Sequence, residues 1–250
     1  MRSEFLDIPV YDDNELTEIL GKQFLQREKI HHWPLSYVER IDLEGKSVIA
    51  KYSKLSLENS FYSSVSHDFI LKPVFMAEME DTSVTILPFI NGREPEQHEI
   101  YSAIERIQAI SSDIYWADAS SFDKFMDLID ASCTILEKYD AKEFCEPLRR
   151  KCSSLSEFFV PEKIGYVHGD LKRDNIIICG GNPIIIDWQR PMKAPLVIDR
   201  VTCGLEDAPD AVCLAKIFET YWLLYAFNEK LNKLPHVINW ALKNLESILK

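Results

Sequence analysis

The stretch Tyr166–Gln189, YVHGDLKRDNIIICGGNPIIIDWQ, holds three side chains whose types and spacing suit phosphate chemistry: Asp170, Asn175 and Asp187. Gly180-Gly181-Asn182 between Cys179 and Pro183 reads as a three-residue hairpin loop. If Cys179 faces Pro183, Asn175 lies opposite Asp187. Cross-strand neighbours have Cβ atoms about 4.5–5.5 Å apart and share one face. An amide oxygen beside a carboxylate is hard oxygen ligation that suits Mg²⁺, which takes few protein ligands and keeps phosphate and water for the rest. Asp170, in a loop opened by His168-Gly169, is placed to orient a substrate hydroxyl and take its proton. A polar, solvated hairpin end is the plain alternative. Against it, Ile176–Ile178 and Ile184–Ile186 read as strands buried on both faces, and carboxylates at the ends of buried strands need compensation.

The elements that must position these groups fall into two groups. Residues 1–30 read as helical, with Asn14 as cap and Leu16, Ile19, Leu20, Phe24 and Leu25 on one face. Tyr37–Leu43 and Ser47–Tyr52 around the turn Glu44-Gly45-Lys46 read as a hairpin. Leu57–Val65 reads as helix, and Phe69–Met79 and Val84–Phe89 as strands. After Asn91-Gly92 the spacing is helical over Glu99–Ile110, Phe122–Tyr139, Phe144–Phe158, Ala211–Asn228 and Pro235–Leu249, with Tyr166–Trp188 as a strand-rich island. The expectation is an α+β chain with a β-rich N-terminal lobe, residues 1–90, and a mostly helical C-terminal lobe, residues 91–250.

The pattern H-G-D-x-x-x-x-N followed by an I-D-W strand resembles the aminoglycoside phosphotransferase and choline kinase-like family, which has the two-lobed protein-kinase-like fold. The resemblance implies that Asp170 is the catalytic base and that Asn175 and Asp187 are Mg²⁺ ligands. It implies structural roles for His168 and Asp199 in holding the loop, and leaves Lys172 open. Trp188-Gln189 departs from the Phe-Gly of protein kinases. The apolar strand Ser47–Lys51 is similar to the V-A-I-K strand of kinases. By resemblance Lys51 pairs with nucleotide phosphates and with Glu58 of the following E-x-x-F-Y helix, where Phe61 and Tyr62 pack. Ser36 is implied as a phosphate contact, and Phe89 and Ile90 as the linker that meets the adenine edge. No G-x-G-x-x-G precedes Lys51, and neither an A-P-E segment nor an activation loop is present. Both absences point away from a protein kinase.

The expected activity is transfer of the γ-phosphate of ATP (or GTP), with Mg²⁺, to a hydroxyl of a small molecule. Choline-like, amino-alcohol and sugar acceptors compete with aminoglycoside-like ones, and a nucleotide-binding scaffold without turnover is the alternative of another class. The 250 residues carry 40 acids and 28 bases, a formal charge of −12, which argues against nucleic acid as partner. Glu94–Pro147 holds 13 of those acids and 4 bases. Such a segment could concentrate a cationic acceptor or form solvated helix faces. No apolar run reaches the ~18–20 residues of a membrane span, and the first residues hold no apolar signal core. The expectation is a cytoplasmic protein with no membrane partner. The six cysteines show no C-x-x-C spacing and are expected to be reduced thiols.

Overall fold

The computed structural model describes residues 8–231 and 235–249. Contacts divide them into two compact units. The first comprises the described residues up to Pro95 together with Asp174–Gln189; the second comprises Glu96–Arg173 and the residues from Arg190 onward. The division therefore differs from a single break at residue 90, because a later hairpin belongs to the first unit.

The first unit begins with helix α1 (Asp13–Leu20). Its cap is Asp12 rather than Asn14: the Asp12 carboxylate accepts the amides of Asn14 and Glu15, and the Glu15 side chain accepts the Asp12 amide. This reciprocal pairing satisfies helix-end donors that have no partner within the helix. Gly21, at φ +66°, ends the helix in the left-handed conformation. Phe24 and Leu25 consequently lie in strand β1 (Phe24–Trp33), a correction to the helical reading. Strands β2 (Ser36–Leu43) and β3 (Lys46–Ser53), helix α2 (Glu58–Ser64), and strands β4 (Phe75–Met79) and β5 (Thr82–Pro88) follow. The strands form one antiparallel sheet in the order β1-β2-β3-β5-β4. Alternation sends Ile41, Val48, Ala50, Val84 and Ile86 to the same core as Leu16 of α1. It sends Lys51 to the opposite face, level with Val38 and Thr85.

The hairpin that completes this unit pairs β8 (Ile176–Cys179) with β9 (Asn182–Ile185). Its loop has two residues, not three: Cys179 faces Asn182. Gly180 and Gly181 both have positive φ, 58° and 83°, the requirement of the tight turn that suits strand twist. Asn175 consequently lies level with Ile186, whose amide donates to the Asn175 carbonyl at 3.0 Å. The expected Asn175–Asp187 register is corrected by one residue. Both edges of the hairpin are tied to the unit, by the Ile185 amide on the Phe69 carbonyl and by paired bonds between Ile178 and Arg93. A Cβ at Gly92 would lie 2.6 Å from the Ile178 carbonyl oxygen, so only glycine permits that approach.

The second unit is mainly helical. It contains α3 (Gln97–Gln108), α4 (Phe122–Lys138), α5 (Cys145–Ser153), α6 (Val197–Thr202), α7 (Pro209–Ala226) and α8 (Pro235–Ile248). A small sheet sets β10 (Met192–Pro195) between β6 (Ala117–Asp118) and β7 (Ile164–Val167). Helix α4 buries Phe125, Ile129, Cys133 and Leu136, spaced at three and four residues. Helix α7 buries residues on most of its circumference, as a central helix must. A β-sheet unit and a helical unit together give the α+β architecture expected of a kinase-like chain. Among the described residues no helix is long and apolar enough to cross a membrane.

Candidate active site

In the first unit Lys51, Glu58 and Asp187 meet on one ammonium. Lys51 Nζ lies 3.0 Å from Glu58 Oε2 and pairs directly with Asp187 Oδ1. A strand supplies the lysine, the first turn of α2 the glutamate and the end of the hairpin the aspartate. Asp187 lies past the end of β9 at φ +69°, a left-handed conformation that Asp tolerates better than most residues. That turn takes its side chain out of strand alternation. Burial alone would lower the Lys51 ammonium, but the Asp187 and Glu58 carboxylates outweigh it and hold it above the ordinary lysine range. Burial, reinforced by the Asp187 charge, raises the Glu58 carboxyl despite Lys51. One cation thus serves two acids. Among the described residues Glu58 Oε1 is buried without a hydrogen-bond partner, as is the hydroxyl of Tyr62 one turn further along α2.

Helix α2 is fixed to the sheet through Asn59. Its amide donates to the Ala77 carbonyl and to Glu78, and its oxygen accepts from the Thr85 hydroxyl. No spacing or motif marks Asn59, because its partners come from β4 and β5. Trp188 is fully buried and stacks on Phe61, with ring centroids 4.2 Å apart, and its indole N–H donates to the Ile185 carbonyl. The departure at Trp188 is thus a packing feature that joins the hairpin to α2.

The remaining residues expected to meet the nucleotide are placed as follows. Ser36 opens β2, buried, between Trp33 and Ser53 of the flanking strands. Phe89 follows β5; its amide donates to the Ser47 carbonyl at 3.0 Å, so that N–H is engaged by β3. The Arg40 guanidinium lies over the Phe89 ring at 4.3 Å. Ile90, the next residue, is half-buried. Asn175 ends a short helical turn before β8 and is half-buried.

In the second unit the loop His168-Gly169-Asp170 is built on a buried carboxylate. Asp199 accepts the amides of His168 at 2.8 Å and Gly169 at 3.1 Å. Burial raises its carboxyl, against the pull of His168 and of those two donors. Gly169 has φ +82°, and a Cβ there would lie 2.6 Å from the Arg190 carbonyl oxygen. The Asp170 amide approaches His168 Nδ1 at 3.4 Å. The Asp170 carboxylate is gripped by two cations: Lys172 Nζ at 3.2 Å and Arg190 Nη2 at 3.1 Å. No motif marks Arg190. Its sole signal is its place three residues after Asp187, and nothing in spacing predicts that it turns back to Asp170. The acids of Glu94–Pro147 are partly engaged: Asp118 pairs with Lys124, Asp130 with Arg149 and Glu146 with Arg150.

Residues 127–226 match the phosphotransferase enzyme family. The span includes Asp170, Asn175 and Asp187, and it bears out the resemblance read from their motif. No curated protein matches the chain by sequence. Solved structures of phosphotransferases share its fold. A putative fructosamine-3-kinase from Haemophilus somnus aligns at TM-score 0.58 and 14% identity, over 95% of this chain and 96% of that one. A spectinomycin phosphotransferase, in complex with ADP and spectinomycin, aligns at 0.57 and 14%, over 96% and 98%. An aminoglycoside phosphotransferase in its apo form aligns at 0.63 and 13%, over 95% and 98%. The family match covers this part of the chain, and the solved structures show that the chain shares their fold.

Proposed function

We propose that the protein transfers the γ-phosphate of a nucleoside triphosphate, with Mg²⁺, to a hydroxyl of a small molecule. The observation that carries this reading is the convergence of Lys51, Glu58 and Asp187 on one ammonium. A buried cation shared by two acids has charge to offer phosphate oxygens once one acid is drawn elsewhere. Asp187 is suited to that release, since its side chain is 32% exposed whereas that of Glu58 is 2% exposed.

The donor set fits Mg²⁺: a partly exposed carboxylate and an amide oxygen are hard ligands. Asp187 and Asn175 are the residues that would hold it. Bound there, the ion supplies neutralisation of phosphate charge. Lys51, oriented by Glu58, holds phosphate oxygens of the nucleotide. Ser36 and the backbone at Phe89 and Ile90 contact its phosphate and base ends; for the base, Phe89 offers its carbonyl, because its N–H is engaged. Asp170 accepts the proton of the acceptor hydroxyl while that oxygen bonds to the γ-phosphorus and the bond to the leaving diphosphate breaks. Arg190 and Lys172 fix the direction in which Asp170 points. Catalysis rests on positioning and charge rather than on a covalent intermediate.

The test measures ADP release and nucleotide-induced thermal stabilisation in parallel. Asp170→Ala is expected to reduce turnover at least about 100-fold and keep the stabilisation by MgATP. Full turnover in that variant removes Asp170 from the chemistry. Stabilisation of the parent protein without turnover on any acceptor makes it a nucleotide-binding scaffold instead.

A further inference from the structure

The ground beside Asp170 is aromatic and cationic. Arg190, which grips Asp170, also lies over the ring of Trp222 at 5.4 Å. Trp222 belongs to a cluster centred on Trp116, whose ring lies 4.9 Å from Trp222, 5.0 Å from Tyr221 and 5.8 Å from Tyr225. Trp222 is buried, while Trp116, Tyr221 and Tyr225 keep part of their surface accessible. The position of Trp116 is set by its own backbone: its amide donates at 2.7 Å to the carbonyl of Pro191, the residue after Arg190. The loop before it is held by the Tyr166 hydroxyl on the Ile114 carbonyl at 2.6 Å. Two pinned segments and the last turns of α7 thus gather half-covered rings around Trp116, whose ring also meets Trp222, the ring that Arg190 covers.

Resting on the phosphotransfer reading, we propose that these rings seat the acceptor, and that the acceptor is a hydroxylated ring without positive charge, a neutral or acidic sugar or cyclitol. Aromatic faces stack on the C–H face of such a ring and leave its rim of hydroxyls for polar groups. A cationic acceptor is disfavoured on two counts. The cation–π position on Trp222 is already filled by Arg190. At Asp170 two cations already face one carboxylate, so an incoming ammonium meets like charge. Of the acids nearest the cluster in sequence, Asp118 is paired with Lys124 at 2.7 Å, and Asp113 and Glu219 are exposed to solvent. The charge arrangement at Asp170 therefore runs opposite to the acidity of the Glu94–Pro147 segment.

The experiment is ADP release by the full chain with MgATP and a panel of rings in matched charge states: neutral sugars and cyclitols, their uronates, and their amino counterparts, with kanamycin as the polycation. The expected result is stimulation at least tenfold over the acceptor-free rate by a neutral or acidic member, with kcat/KM at least tenfold lower for its amino counterpart. Trp116→Ala is expected to raise KM for that acceptor about tenfold, with kcat and MgATP stabilisation little changed. Trp116→Phe, which keeps an aromatic face, restores KM to within about threefold. A structural role alone would lower melting temperature and kcat and leave KM unmoved. Equal or better use of the amino members or kanamycin, no stimulation by any ring, or an unchanged KM in Trp116→Ala each overturns the proposal. Should the parent protein show no stabilisation by MgATP, the phosphotransfer reading has failed, and this one with it.

Discussion

Lys51 answers to two acids, and removing it exposes what each contributes. Lys51→Met leaves Glu58 buried with no cation. Breaking a buried ion pair from one side costs about 3–5 kcal/mol, and the expected loss in urea unfolding is at the lower end because Asp187 can turn to water. A loss below about 1 kcal/mol would mean that the pair does not hold the fold. Tyr62 makes the opposite case. Its hydroxyl is buried, unpaired among the described residues, and pushed far from ionising by burial and by the nearby carboxylates. Tyr62→Phe removes an unsatisfied group and keeps the ring, so stability is expected to stay level or rise by up to about 1 kcal/mol. A lower denaturation midpoint would reveal a partner for that hydroxyl. At this scale the sequence showed the lysine and its helix glutamate through a familiar strand and helix pattern. It did not show that Asp187 joins them, since that depends on a left-handed backbone at one residue. Nor did it show Arg190, whose contact with Asp170 spans two separate loops.

Elements that carry the site are shaped by glycines with distinct duties. Gly169 is left-handed and packed against the Arg190 carbonyl. Gly169→Ala is expected to destabilise by at least about 2 kcal/mol, through strain and displaced backbone, and to cut turnover more than tenfold because the loop bears Asp170. Gly180→Ala is the control. Its φ is also positive but nothing lies within 4 Å, so a cost near 1 kcal/mol with turnover retained is expected. Equal effects of the two on ADP release would dissociate the loop from the chemistry. Helices α3, α4 and α7 were legible because their apolar residues recur at helical spacing. Strand β1 was not. It is an edge strand with Leu25 75% and Ile30 55% exposed, so it lacks the alternation of a half-buried strand, and Phe24 and Leu25 extend the spacing of the preceding helix. The hairpin register differs by one residue from the expected one because Gly180-Gly181 closes a tighter turn than the three-residue loop.

Across the molecule the thiols report burial directly. Cys179, near the hairpin tip, is exposed, and the other five cysteines are buried. Burial raises the thiols of Cys133 and Cys203 to about 12, and those of Cys152 and Cys213 upward as well. Thiolates do the reacting. In native buffer a single rapid equivalent with Ellman's reagent is expected, abolished by Cys179→Ser, and six in denaturant. More than one rapid equivalent would mean that one of the buried cysteines opens readily.

The first unit is not continuous in the chain: it closes only when Asp174–Gln189 returns to it. During synthesis the five-stranded sheet would emerge without the β8–β9 hairpin, the indole that covers Phe61 and the second acid on Lys51. At about 5–20 residues per second, roughly 5–20 s separate Pro95 from Gln189. Through that interval a buried lysine and an uncovered aromatic must wait for a piece of chain not yet made, so a fragment ending near Pro95 is expected to be a client for chaperones rather than a domain that can be produced alone.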